Sequence, residues 1–501
     1  MTLAAGAATS VLTAAIAMLT TPILLRWLGT ERFGVFRVAI DWFGYVGLLE
    51  FGVGGALQAL LAQAFGRDDR AGVAAVVKAG TKAYLLTGGL MAAAAAGLVF
   101  ALPALVRAPP DLAGELRAGC WVYLLVYAWL PLAAFRPLAE AGQRGYVVNL
   151  FLAAQVVVVA AASVALAAAG WGLVGQFLAL VLGGSVFAVG LAWAGVRRFP
   201  EILLPGTPDD RIGRSVWRLS WPNLLWNLSG RVGLLSDNIL LVGFLGPAAA
   251  TPFILTQRLI TMASVQVQAV GGATWAGLVE LHHRGDKEGF VRGLIQVTRL
   301  TSTLGAGLLL PIAVWNRDLI GLWVGPDQYA GPAVTWLAAG NAWGLAVLGL
   351  WAWPLTGTGQ TRAVLPIIAL GAAVNLIVST AATAAFGQPG PLVGTALSFA
   401  LVNWWGLLLT LRRQFGIPPR SLVRAAAGPA LVAAPYGSLL VLFASNVPAY
   451  DPGWPRWACW LALAAWLAAA AGGYLILAWF LVLSTDDRRV LTGRIWRRGA
   501  A

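Results

Sequence analysis

Few residues in this chain can do chemistry, and most of those are ionisable groups set in apolar sequence. Arg37 and Asp41 stand four apart, as do Arg136 and Glu140, a spacing that places opposite charges on one helix face. Glu50 follows in the same stretch as Asp41, and Arg231, Asp237, Arg258 and Arg299 in other apolar stretches. A charge near the centre of a bilayer costs about 2.5–3.5 kcal/mol on insertion scales, so such groups face a partner or a watered cavity. The two i,i+4 pairs read as local pairing that lowers this cost. Arg231 and Arg258 have no acid three or four residues away. Arg258 is the first candidate for an anion-binding role, because the planar guanidinium meets a phosphate through two parallel hydrogen bonds. The candidate cavity set is Arg258, Arg231, Arg37, Glu50 and Asp41, with Trp336 and Trp343, seven apart, as stacking surfaces. Asp237 with Asn375, Ser379 and Thr395 forms a second set, one carboxylate with neutral oxygens, suited to Na⁺ or a proton.

Other chemistry has no residues to perform it. There is no Walker-type phosphate loop, so ATP hydrolysis is not expected. Gly52-Val53-Gly54-Gly55 lies within an apolar run and reads as close helix packing. His282 and His283 are adjacent, a poor geometry for shared metal ligation, and read as solvated. Cys120 and Cys459 are the only cysteines, both in apolar stretches, so no metal site or disulfide framework is expected.

The elements that position these groups follow from composition. Of 501 residues, 59% are hydrophobic and only 11% charged, with a mean hydropathy of +0.77. A soluble domain carries about a quarter charged residues, so the chain reads as an all-α polytopic membrane protein. Fourteen spans are expected, over 5–25, 38–64, 80–106, 118–140, 146–169, 172–195, 217–245, 249–278, 293–322, 330–357, 362–386, 391–411, 424–446 and 456–483. The first apolar run is too long and wrongly flanked for a cleaved signal peptide. With the N-terminus placed in the cytoplasm, 23 of the 34 basic residues fall on the cytoplasmic face and seven on the other. The positive-inside rule then puts both termini in the cytoplasm. The net charge of +14 is thus spent on orientation and on the anionic inner leaflet, and implies no nucleic acid.

Self-similarity organises the chain. Pro137-Leu138-x3-Gly142-Gln143 recurs as Pro354-Leu355-x3-Gly359-Gln360, and Leu28-Gly29 as Leu245-Gly246, both offset by 217. Gly66-Arg67-Asp68-Asp69 aligns with Arg284-Gly285-Asp286-Lys287 through Gly66 and Gly285, and Leu173-Val174-Gly175 with Leu392-Val393-Gly394, both at 219. The offset covers six spans, an even number, which predicts two six-helix lobes related by a pseudo-two-fold axis along the membrane normal. The expected organisation is an N-lobe over 1–196, a cytoplasmic interfacial linker helix over 197–216 and a C-lobe over 217–416. Two further spans occupy 417–484, and a basic cytoplasmic tail 485–501. Thr207-Pro208-Asp209-Asp210 carries the start signature of the linker helix.

With these residues in place, the chain resembles the polysaccharide (O-antigen type) flippases of the multidrug/oligosaccharidyl-lipid/polysaccharide exporter superfamily. The resemblance is carried by Pro22-x2-Leu25-x2-Leu28-Gly29-x-Glu31-x-Phe33-Gly34, Leu49-Glu50-Phe51-Gly52-Val53-Gly54 and Gly66-Arg67-Asp68. In the second half it is carried by Asp237, Leu245-Gly246, Gln257-Arg258-Leu259 and Leu322-Trp323-Val324-Gly325. It spans about residues 10–413, and it implies alternating access that carries a polyprenyl-pyrophosphate-linked oligosaccharide from the inner to the outer leaflet. It also implies a cavity role for Arg258 and an ion site built on Asp237, with Ser379 standing where relatives place an acid. A transporter without cofactor is therefore expected, with Na⁺ or H⁺ as candidate coupling ions. It would be a monomer in the inner membrane, with lipid-linked oligosaccharide and membrane lipids as partners and other polysaccharide-assembly membrane proteins as candidates. A cation-coupled drug antiporter of the same superfamily is the alternative. A membrane glycosyltransferase or polymerase is disfavoured by the short outer loops.

Overall fold

The structure, a computed structural model, describes residues 2–204, 210–447 and 453–491; within these, the side chains of 2–4, 7, 210, 221–235, 270, 273, 276, 490 and 491 lie outside the description. Every regular element among the described residues is helical. In lipid each backbone N–H and C=O must be satisfied within its own segment, and apolar runs of this length achieve that as helices. The first half holds α1 (Thr2–Val46), α2 (Val53–Gly66), α3 (Arg70–Leu105), α4 (Pro110–Tyr123), α5 (Phe135–Ala141), α6 (Gly145–Ala168), α7 (Gly172–Arg198) and α8 (Asp210–Leu245). The second holds α9 (Pro247–His283), α10 (Lys287–Val314), α11 (Asn316–Trp323), α12 (Pro332–Gly357), α13 (Thr361–Phe386) and α14 (Gly390–Ser398). It closes with α15 (Trp404–Phe415), α16 (Pro419–Asn446), α17 (Arg456–Leu481) and α18 (Thr485–Leu491). Eleven helical segments among the described residues are long and apolar enough to cross a membrane. The chain is a multi-pass membrane protein.

Contacts divide it into two compact units, Met1–Thr251 and Pro252–Ala501. The first unit reaches past the expected lobe boundary at 217 because α8 packs on α1, α2 and α3. Backbone structure from Asp210 onward is one continuous helix; the start signature at 207–209 lies outside the described residues. Within this unit α6 and α7 pack through glycines. A Cβ on Gly183 would stand 2.3 Å from Val159, and one on Gly190 would stand 2.3 Å from Phe151, the small-residue contact that brings membrane helices close. In the second unit α10 is central, packed by α12, α16 and α17. The helices outside the duplication, α16 and α17, are tied to each other by hydrogen bonds from Tyr474 to Pro429 O (2.9 Å) and from Tyr436 to Ala470 O (2.8 Å), and α16 is tied to α10 by Ser302 Oγ donating to Ala426 O (2.7 Å).

The repeat recurs as backbone geometry, and the geometry corrects its register. Gly29 and Gly246 are both left-handed, with φ of 78° and 86°, each breaking a helix after a leucine. Asp68 (φ 52°) and Gly285 (φ 76°) hold the same left-handed position before Asp69 and Asp286. Each of these aspartates caps the next helix by accepting an N–H, from Gly72 and Gly289, at 2.8 Å. The partner of Gly285 is therefore Asp68, at an offset of 217, and not Gly66 at 219. The left-handed Gly170 and Gly387 also stand 217 apart; the following loop is two residues longer in the second copy, which produces the 219 of Leu173 and Leu392.

Candidate functional site

The second half of α1 and the end of α8 bring together the first group of polar residues. Asn238 donates from Nδ2 to Asp41 Oδ2 at 2.7 Å, and Asp41 is buried at 8% exposure. The expected Arg37–Asp41 pair is not closed: no ion pair joins them among the described residues, although Arg37 acts on Asp41 through its charge. Tyr45, one turn beyond Asp41, feels the charges of both Asp41 and Asp237. Buried atoms without a hydrogen-bond partner occur here on Arg37 Nε, Trp42 Nε1 and Asp237 Oδ1, and Ser236 is turned to the Tyr45 hydroxyl. The side chain of Arg231 lies outside the described residues. Sequence reasoning missed Tyr45 and Asn238, although Ser236-Asp237-Asn238 is a polar run within an apolar helix and is a readable signal.

Glu50 sits at a helix break. Phe51 and Gly52 are both left-handed, at φ 57° and 73°, so the expected span over 38–64 is interrupted, and the glycine run serves this break as well as packing. Glu50 Oε1 caps the new helix by accepting Gly54 N–H at 3.3 Å, and it also accepts the Tyr84 hydroxyl at 2.9 Å. Arg136 and Glu140, whose charges act on Tyr84, form the expected i,i+4 ion pair at 2.9 Å. Tyr84, almost fully buried on α3, was not singled out by its spacing.

In the second unit Arg258 is half-buried on α9 and engaged in an interaction. The turn before it is anchored to the loop ahead of α12. Thr256 Oγ1 accepts Ala330 N–H at 2.8 Å, and its carbonyl accepts Asn316 Nδ2–H at 2.9 Å. Thr335 Oγ1 donates to the Tyr329 hydroxyl at 3.1 Å in the same loop, where burial pushes the Tyr329 phenol up.

Trp336 and Trp343 both line one apolar cavity of about 740 Å³ between α10, α12 and α16. Gly305 and Ala306 form its α10 wall and Ala433 and Gly437 its α16 wall. Trp343 is fixed, donating Nε1–H to Ser302 Oγ at 3.0 Å and stacking on Trp404 with centroids 5.6 Å apart. Ser302 donates onward to Ala426 O at 2.7 Å. No charged side chain lines this cavity; its chemistry is that of a hydrocarbon chain or a sugar face.

Of the second predicted set, three members meet. Asn375 donates to Thr395 Oγ1 at 3.0 Å, and Ser379 donates to Asn375 Oδ1 at 2.9 Å. Asp237 is carried by α8, in the first unit. Among the described residues no group of three His, Cys, Asp or Glu side chains could hold a metal ion. His282 is not solvated as expected, packing against Phe415 and Phe290 at centroid distances of 5.2 and 5.7 Å.

The family model described as polysaccharide biosynthesis protein matches residues 5–276. A search of curated protein sequences finds no match. Among solved structures, the lipid II flippase MurJ in an inward closed conformation superposes with a TM-score of 0.69 at 10% identity, covering 95% of this chain and 99% of that one. An inward-facing multidrug resistance MATE family transporter of the MOP superfamily gives 0.61 at 15% identity, covering 80% and 96%. An outward-facing form gives 0.58 at 15%, covering 84% and 96%. At these identities the likeness is one of fold.

Proposed function

We propose that this chain, which belongs to the polysaccharide biosynthesis protein family, is a flippase that moves a polyprenyl-pyrophosphate-linked oligosaccharide from the inner to the outer leaflet by alternating access. The observation that carries the reading is the family match on a fold shared, end to end, with a lipid II flippase. The charges and cavities fit such a cargo in kind. Arg258 supplies a guanidinium group for a pyrophosphate, and the apolar cavity beside Trp336 and Trp343, in the same unit, suits a polyprenyl chain or a sugar ring. The chain makes and breaks no bond in this reading. It lies in the inner membrane with both termini cytoplasmic, as its basic residues favour. A coupling ion or the membrane potential supplies direction, since one charge moving through 100 mV contributes about 2.3 kcal/mol. The MATE likeness keeps one second reading, a cation-coupled drug antiporter.

The test is translocation of a fluorescent lipid-linked oligosaccharide in proteoliposomes. Wild type flips it, and Arg258→Ala lowers the rate at least tenfold while staying monodisperse. Unchanged flipping by Arg258→Ala removes the assigned role of that arginine. Dye efflux without flipping by folded wild type replaces the flippase with the antiporter.

A further inference from the structure

A smaller cavity, of about 230 Å³, lies in the first unit between the end of α2, α5, the start of α6 and the end of α7. Its floor is apolar, made chiefly by Phe135 and Leu138 of α5 and Leu191 of α7. A Cβ on Gly195 would stand 2.4 Å from the Phe135 ring, so this glycine lets the ring lie against α7. Phe65 and Phe199, with ring centroids 5.8 Å apart, add an aromatic wall. Two arginines join this apolar lining, the half-buried Arg144 and the exposed Arg198, and no carboxylate does. Neither arginine forms an ion pair among the described residues. The Tyr146 hydroxyl accepts from Arg144 Nε and Nη2 at 3.4 and 3.3 Å. Bonds of that length leave most of a five-donor guanidinium unsatisfied. α6 begins at Arg144 with no side-chain cap, so its positive dipole end adds to the same mouth.

The surroundings fix the depth of this mouth in the membrane. Arg197 lies over the ring of the exposed Trp193 at 5.1 Å, and Tyr146 is exposed beside Arg144. Tryptophan and tyrosine collect where acyl chains meet head groups, and arginine stems reach outward from that level. An apolar cleft with a cationic mouth at this level is matched by a molecule with an anionic head and a hydrocarbon chain. A free phosphate satisfies the arginines and leaves the cleft unfilled. A zwitterionic lipid fills the cleft and brings a cation to the arginines.

We propose that this cavity binds one anionic phospholipid of the cytoplasmic leaflet, its phosphate on Arg144 and Arg198 and part of one acyl chain in the cleft. The guanidinium fork suits the phosphate, and basic pockets between membrane helices favour anionic head groups. The inference uses the orientation that the basic residues favour and is independent of the flippase reading.

The experiment places the full chain in phosphatidylethanolamine vesicles holding a minor share of phosphatidylglycerol with a photoactivatable acyl chain. Wild type is expected to crosslink within 135–147 and 191–199, about tenfold more than with a phosphatidylcholine probe of the same chain. Unlabelled phosphatidylglycerol competes the crosslink away. Arg144→Gln with Arg198→Gln abolishes the preference in a monodisperse protein. Arg412→Gln with Arg413→Gln, in the last turn of α15, removes the same charge from another helix end read as cytoplasmic and keeps it. A preference that survives the first pair, falls equally in the second, or spreads evenly over the helices overturns the site. Loss of the crosslink to inorganic phosphate reduces it to an anion site and overturns the lipid. Displacement by lipid-linked oligosaccharide but not by phosphatidylglycerol makes it a cargo site instead. Failure of wild type to flip would sink the flippase reading and leave every one of these outcomes readable.

Discussion

Arg299 of α10 donates from Nη1 to Oδ2 of Asp487 in α18, and Asp487 is 1% exposed. The same carboxylate oxygen accepts from Ser484 N (2.8 Å) and Ser484 Oγ (2.7 Å), and the Asp487 N–H returns a 3.3 Å bond to Ser484 Oγ. This is a reciprocal helix cap whose acid also neutralises an arginine of another helix. Arg299 lies one turn before Ser302, which receives the Trp343 indole, so the last described helix is anchored next to the aromatic wall of the cavity.

Removing one partner of a buried ion pair leaves an uncompensated charge and costs about 3 kcal/mol. Asp487→Asn and Arg299→Gln are each expected to lower the thermal midpoint of the detergent-purified protein by several degrees. The double substitution is expected to be no worse than the worse single one, because the stranded charge is gone. Additive losses in that double-mutant cycle would show that the two residues are not coupled.

The left-handed positions of the repeat give a second expectation. Gln143 occupies φ 57°, and the left-handed position of the matching turn in the second copy is Gly359 at φ 83°, one residue before the Gln360 that the sequence repeat pairs with Gln143. A side chain in this region costs about 1 kcal/mol. Gln143→Gly should therefore raise the thermal midpoint slightly, by about 0.5 kcal/mol once the freedom gained in the unfolded chain is subtracted. Gly359→Gln should lower it by about 1 kcal/mol. A fall in midpoint for Gln143→Gly contradicts the equivalence.

Apolar length, basic asymmetry and the repeat were legible in the sequence, because each is a property of residues counted along one segment. Trp336 and Trp343 on one cavity wall followed from the helical period alone. The Ser484-x-x-Asp487 cap was readable for the same reason, though it was passed over. What escaped the sequence depends on two segments meeting. The partner of Asp487 is 188 residues away, and Asp41 turned to Asn238, 197 residues on, rather than to Arg37 one turn before it. The break at Phe51 and Gly52 escaped because Gly-rich packing and a left-handed turn use the same residue type.

The cavity gives a test independent of charge. A Cβ on Gly340 would meet no atom within 4 Å, and Gly340 lines the cavity. Gly340→Leu should fill that space without clash and leave stability unchanged or improved, since leucine favours the helix by about 1 kcal/mol over glycine. If the lipid-linked cargo enters there, flipping falls at least tenfold. Gly97→Leu on α3, also free of any neighbour within 4 Å, is the control and should flip at the wild-type rate. A normal rate for Gly340→Leu excludes the cavity from the transport path.

Sodium should leave transport unchanged, and the reason lies in how the Asn375 set is filled. The Ser379 hydroxyl is committed to Asn375 Oδ1 at 2.9 Å and to Pro391 O at 3.1 Å. Thr395 Oγ1 takes the Asn375 amide and also reaches Pro391 O at 3.3 Å. Ser379 is 0% exposed, and a Cβ on the facing Gly394 would stand 2.0 Å from its Oγ. An Na⁺ ion takes its ligands from oxygen lone pairs with at least one negative charge near (the hard-cation rule), and these oxygens already serve one another with no carboxylate among them. Replacing Na⁺ by K⁺ at constant pH and ionic strength should change the flipping rate less than twofold. Ser379→Asp would bring a carboxylate into a space closed by Gly394 and should lower the thermal midpoint rather than create sodium dependence. A wild-type rate that rises with Na⁺ and loses that response in Asn375→Ala would reverse this expectation and return the ion site to the second unit.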